Sequence, residues 1–196
     1  MARPDRIDVD ALRAGDDAAV SAFYSTYART VLGWCIRLGG PNLDPEDAAH
    51  EVFETALKRL ESYRGDSSPR TWLYGVTRRV LANKRRRAAL RRFVGMDDVR
   101  EPESSDNQEA EVVALRQRRL VQHTLERLRP KHREVLVLSD LEGRSAPEVS
   151  ELLGIPAGTV YSRLHAARRS FKAACAAEGL VPEQDGRHLR LVRRQA

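Results

Sequence analysis

The sequence predicts an all-α protein built as two small helical domains joined by an acidic linker. Apolar residues recur at spacings of three and four along most of the chain, no clear run alternates as a strand would, and one acid-rich segment interrupts the pattern near the middle. At 196 residues the chain can hold one large domain or two small ones, each with a modest core, and the interruption favours two. The predicted division is a helical bundle over residues 1–92, a flexible linker over 93–111, a helix-turn-helix domain over 112–175 and a basic tail over 176–196.

Residues 8–39 read as two helices carrying Leu12, Val20, Phe23, Tyr24, Tyr27, Val31, Leu32, Trp34 and Leu38, stopped by Gly39, Gly40 and Pro41. Asp44 is placed to cap a third helix with Pro45 in its first position. Its apolar face is Ala49, Val52, Phe53, Ala56 and Leu60, ending before Arg64 and Gly65. After the loop GDSSPR a fourth helix runs from Arg70 through Trp72, Leu73, Val76 and Val80 into the run KRRR. Residues 93–111 are rich in acid and Ser and contain Pro102, the composition of a solvated tether. Val113, Leu120, Val121, Thr124 and Leu128 then lead to Pro130 and a short helix in REVLVLSDLEG. From Glu178 onward, Arg187, Arg190, Arg193 and Arg194 mark a frayed or disordered tail able to add phosphate contacts.

Residues 142–172, EGRSAPEVSELLGIPAGTVYSRLHAARRSFK, carry the strongest functional signal. Ser145 and Glu148 form a capping box around Pro147, Val149, Leu152 and Leu153 supply a buried side, and Gly154 stands at the turn. A second helix begins near Ala157, with Val160 and Leu164 inward. Tyr161, Ser162, Arg163, His165, Arg168 and Arg169 then face outward or flank that face, where base edges and phosphates would meet them. An ordinary helical hairpin with a basic solvated face is the plainer reading; the coincidence of cap, turn glycine and basic second helix favours DNA.

Charge is segregated. The net +6 comprises a basic run, with eight basic residues and no acid between Arg78 and Arg92, followed by seven acids against Arg100 alone from Asp97 to Glu111. The fourth helix is expected to present Tyr74, Arg78, Leu81 and Arg85 opposite its apolar face, beside Arg79, Asn83, Lys84 and Arg86. With Ser67, Ser68, Pro69, Arg70 and Trp72 nearby, this suits unstacked single-stranded bases. Trp72 also shares the face of Val76, which is the core reading, and a charge run is equally the mark of a solvated face. On the third helix Asp47, Glu51 and Glu54 align with His50, either as a solvated face or as a dock for a basic protein. Matching ligands for a metal are absent from the pattern, and no nucleophile, phosphate loop or zinc motif is found, so neither catalysis nor a cofactor is expected. Cys35 and Cys175 are isolated and read as buried thiols in a reducing cytosol. No apolar run approaches a membrane span and the N-terminus lacks a signal-peptide core, so a cytoplasmic protein without membrane insertion is expected.

The blocks DPEDAAHEVFETALKRLESYRGDSSPRTWLYGVTRRVLANKRRR and LRPKHREVLVLSDLEGRSAPEVSELLGIPAGTVYSRLHAARRSFK together resemble the two domains of the extracytoplasmic-function (ECF, group IV) sigma factors of bacterial RNA polymerase, over about residues 8–173. The resemblance implies that Asp47, His50, Glu51 and Glu54 dock on the clamp helices of the polymerase largest subunit. It implies that the loop Gly65 to Arg70 and the fourth helix, with Asn83 and its arginines, read and open the minus-10 element. The linker would thread the polymerase cleft as an acidic mimic of nucleic acid. The second domain would read the minus-35 element through Tyr161, Ser162, Arg163 and His165 and touch the flap of the other large subunit. An anti-sigma factor is a further implied partner. Nineteen linker residues span about 65 Å when extended, enough to set two modules about two DNA turns apart. His50 stands where the family has Gln, Leu57 where it has Trp, Pro69 and Arg70 where an apolar or aromatic pair is common, and Tyr161 where Lys or Arg is frequent. The promoter sequence therefore does not carry over. The rivals are a dimeric repressor or activator, which leaves the first domain without a purpose, and a nucleic-acid-modifying enzyme, which lacks a catalytic constellation.

Overall fold

Four helices of the N-terminal half begin at residues whose side chains are built to begin helices. The computed structural model describes residues 8–40, 43–93, 119–185 and 188–193. Asp8, Asp16 and Asp44 cap α1 (Val9–Arg13), α2 (Asp17–Gly39) and α3 (Pro45–Lys58), each carboxylate accepting from first-turn backbone N–H groups. A 3₁₀ turn, Leu60–Ser62, follows α3. In α4 (Pro69–Phe93) the Ser68 hydroxyl accepts from Thr71 N–H at 3.1 Å, and Pro69 takes the first position, where its missing N–H costs nothing. These boundaries fall where the cap chemistry predicts them.

The chain divides into two compact units, Met1–Asp98 and Val99–Ala196. The change from one to the other falls inside the acid-rich tether; residues 94–118, which include most of it and the start of the predicted second domain, lie outside the described residues. In the first unit α2, α3 and α4 pack around Val31, Trp34, Ala48, Val52, Ala56, Leu73 and Tyr74, all fully buried. Phe23 meets Tyr27 and Phe53 edge-on at 5.4 and 5.7 Å, an arrangement that suits the ring quadrupoles.

The second unit holds α5 (residues 119–126), α6 (Pro130–Leu136), α7 (Ala146–Leu153) and α8 (Ala157–Ala177). Their core includes Leu125, Val135, Leu138, Val149, Val160, Ala167, Phe171 and Cys175. The predicted helix in REVLVLSDLEG is α-helical only to Leu136; Val137–Leu141 widens into a π turn, closed by Glu142 N–H donating to Val137 O at 3.0 Å. The tail also differs from expectation. Leu180–Asp185 (β1) and His188–Arg193 (β2) form an antiparallel hairpin, with Leu180 opposite Arg193 and Asp185 opposite His188. Leu180 is buried, so burial of an apolar residue rather than fraying begins this segment.

Candidate functional site

The helix-turn-helix is set by local chemistry. Glu148 Oε2 accepts from both the Ser145 N–H at 2.9 Å and its hydroxyl at 2.7 Å, while Arg144 reaches Oε1 at 2.9 Å. These donors hold the Glu148 carboxyl at a pKa of about 2, the Ser145 hydroxyl contributing most. Gly154 ends α7 in the left-handed region (φ 63°, ψ 40°), which costs a side-chain-bearing residue about 1–2 kcal/mol. Ser150 donates its hydroxyl to Ile155 O at 2.6 Å, closing the turn, and Val160 fixes the inward side of α8.

Six predicted reader residues on α8 fall in different settings. Tyr161 (63% exposed), Ser162, His165 and Arg169 lie in solvent, and Arg163 is half-buried. Arg168 is exposed but committed: its Nε and Nη2 donate to both carboxylate oxygens of Asp140 at 2.9 and 2.6 Å. That paired fork braces α8 against the π turn, so Arg168, expected among the residues meeting base edges and phosphates, is engaged by Asp140 within the unit. Sequence reasoning missed Asp140, because the π turn that carries it has no local signature. It also missed Lys172, exposed at the end of the series His165, Arg169, Lys172, whose spacing of four and three was legible.

In the first unit α4 departs furthest from expectation. Tyr74 and Leu81, expected on an exposed stripe with Arg78 and Arg85, are buried, and Tyr74 meets Trp34 edge-on at 4.9 Å. Arg85 donates to Leu38 O near the end of α2 at 2.6 Å, and Arg78 is half-buried. The stripe faces the bundle because α4 packs on α2 as well as α3, so Tyr74 cannot stack on a base. The exposed face instead carries Gly75, Arg79, Ala82 and Arg86, and the Arg86 guanidinium donates to Asn83 Oδ1 at 2.7 Å.

The loop before α4 is tied down on both sides. Tyr63 donates its hydroxyl to Ser67 O at 2.9 Å, and Trp72, half-buried, leans on Tyr63 with ring centroids 5.2 Å apart. Arg70 stands over the Trp34 ring at 5.6 Å, and Ser68 caps the helix as described. Ser67, Ser68, Arg70 and Trp72 remain partly exposed on one short segment, with both readings of Trp72, packing and accessibility, partly realised.

Across α3, Asp47, His50 and Glu54 are exposed and Glu51 half-buried, with Lys58 3.5 Å from Glu54. Lys84, predicted to meet DNA, sends its Nζ to Asp47 at 2.6 Å and Glu51 at 2.9 Å. Burial by itself would lower the pKa of the Lys84 ammonium, but the hydrogen bonds it donates to Asp47 and Glu51, with their charge, outweigh burial and hold it above the usual lysine value. Among the described residues no group of His, Cys, Asp and Glu is arranged to hold a metal ion. None of the described helices is long and apolar enough to cross a membrane.

A helical bundle with an arginine-bearing helix, together with a separate unit bearing a helix-turn-helix, defines a helical nucleic-acid-binding protein. The sigma-70 region 2 family model matches residues 23–91 and the sigma-70 region 4 model matches residues 118–171. The chain is 33% identical over 166 residues to the ECF RNA polymerase sigma factor SigL of Mycobacterium tuberculosis, covering 84% of this chain and 93% of the relative. It is 29% identical over 178 residues to the ECF RNA polymerase sigma-E factor of Escherichia coli K12, covering 85% and 92%. In fold it is similar to CnrH, solved in complex with the cytosolic domain of CnrY, with a TM-score of 0.64, 24% identity and coverage of 89% and 99%. It is also similar to RpoE of Bartonella quintana, solved with the anti-sigma factor NepR, with a TM-score of 0.60, 20% identity and coverage of 81% and 97%. The chain belongs to the ECF sigma factors of RNA polymerase, and its function is that of a sigma factor directing promoter-specific transcription initiation.

Proposed function

We propose that the two units divide promoter recognition between them, residues 1–92 docking on core polymerase and reading the minus-10 element, residues 112–175 reading the minus-35 element. The observation that carries this reading is the opposition of charge on neighbouring helices of one bundle: carboxylates on α3, exposed arginines on α4. DNA would be repelled by the first face and held by the second, whereas a basic protein surface suits the first. Asp47, His50, Glu51 and Glu54 accordingly meet the clamp helices of the largest subunit. Arg79, Asn83 and Arg86, with Ser67, Ser68, Arg70 and Trp72, meet the minus-10 element, the loop holding out a non-template base. Arg78 and Arg85 act mainly through the bundle. Tyr161, Ser162, Arg163, His165, Arg169 and Lys172 face the minus-35 element, while Arg168 positions α8.

The chain supplies the address and polymerase supplies the chemistry. Extruding a base costs a few kcal/mol and each further base step about 1.4 kcal/mol, so a protein of this size needs polymerase to keep a bubble open. The tether enters the polymerase cleft, the second unit also touches the flap, and the protein works in the cytoplasm without enzymatic activity of its own. Solved structures of similar fold hold a CnrY domain or the anti-sigma factor NepR, which supports an anti-sigma partner here. Run-off transcription from a genomic promoter library, with core polymerase and with or without this chain, tests the reading. New discrete transcripts and co-elution with polymerase are expected; tight duplex binding by the chain alone, with neither, would make it a conventional regulator.

A further inference from the structure

Lys84 stands between two surfaces of opposite sign. It belongs to the basic run of α4, immediately before Arg85, Arg86 and Arg87, yet its ammonium lies on the carboxylates of α3, 2.6 Å from Asp47 and 2.9 Å from Glu51. The side chain is 17% exposed and Asp47 is 70% exposed, so the pair forms at the edge of the bundle. Only the Asp47 end of the contact is well exposed, and there a cationic partner surface can compete with the Lys84 ammonium for the carboxylate. A lysine is a point charge on a flexible four-carbon stem, and it can leave these carboxylates without any change of backbone. Leaving the pair frees two of the four residues of the acidic face and one cation of the basic run.

We propose that Lys84 is a transferable cation linking the two surfaces: in the free chain it neutralises Asp47 and Glu51, and a basic polymerase surface that takes these carboxylates releases it to promoter phosphate. The inference rests on the reading of α3 as the docking face. It makes Lys84 a competitor of polymerase and a helper of DNA binding, so polymerase engagement adds positive charge to α4 where the minus-10 element is to be held. Because coupling of this kind is reciprocal, promoter DNA that holds Lys84 in turn strengthens docking.

The test uses the full chain with core polymerase from the source bacterium and a labelled promoter duplex, comparing wild type, K84M and K84R at matched salt. K84M should bind core polymerase about twofold to fivefold more tightly than wild type. Its polymerase complex should bind promoter DNA more weakly, with a salt slope shallower by about one. K84R, which keeps the charge, should stay near wild type in both. Core binding by K84M that is unchanged or weaker, at a wild-type unfolding midpoint, overturns the transfer, because a mere brace between α3 and α4 would not compete with polymerase. Should Met at this position prevent folding, K84Q carries the same comparison. Failure of the wild-type chain to bind core polymerase would overturn the docking reading instead.

Discussion

Tyr161 shows how far one side chain can decide recognition. It lies exposed on α8, where a phenol can offer stacking or one hydrogen bond but not the two-pronged contact that an arginine makes with guanine. Tyr161→Arg is therefore expected to change the preferred upstream base by about 1–3 kcal/mol of discrimination, read from a randomised-promoter selection. An unchanged preference would remove Tyr161 from the reading set. Glu148 makes a different kind of prediction. Its folded pKa of about 2 lies below the ordinary value of 4.5, so its cap is fully stabilising above about pH 4.5 and is lost as pH falls from there toward 2. Wild type and Glu148→Ala should therefore differ in unfolding midpoint at neutral pH and converge at the acid end. A difference independent of pH would assign the loss to something other than the carboxylate.

Elements respond to backbone conformation as well as to contacts. Gly154→Ala should cost about 1–2 kcal/mol, since its αL conformation is what lets the chain turn between α7 and α8. Gly75 is the converse case: it lies within α4, and an added methyl group would meet nothing within 4 Å. Gly75→Ala should stabilise the bundle by about 1 kcal/mol. If promoter DNA approaches this face closely, the same variant loses promoter complexes despite its higher unfolding midpoint. Unfolding and promoter-binding measurements on one sample separate the two effects. The helix starts at Asp44, Ser145 and Ala157 were legible because cap and proline chemistry is written locally. The facing of α4 was not. A helix packed on two neighbours is apolar around much of its circumference, and spacing alone cannot say whether Tyr74 belongs to the core. Nor was the hairpin legible, since Pro182 within β1 reads against a strand and only a short, two-stranded pairing tolerates it. The π turn escaped because no apolar spacing or cap in REVLVLSDLEG marks where the helix widens.

At the scale of the whole molecule, positive charge serves two ends that salt can tell apart. Arg79→Ala and Arg86→Ala should each lower the salt slope of promoter binding by about one while leaving the unfolding midpoint nearly unchanged. Arg85→Ala should instead lower stability, by about 1.5–3 kcal/mol, because a charged donor is removed from the Leu38 carbonyl. If all three variants behaved alike, the division between exposed and bundle-facing arginines would be wrong.

Each compact unit also holds one buried cysteine, Cys35 in the first and Cys175 in the second. Desolvation pushes the Cys35 thiol up to about 12, and burial, with Glu178 nearby, raises that of Cys175. Closed, neither presents appreciable thiolate to an alkylating reagent; opened, each returns toward ordinary reactivity. The wild-type chain thus contains its own pair of clocks: peptide-resolved alkylation rates would time the opening of each unit separately, and a ligand that holds just one of them would slow just one clock.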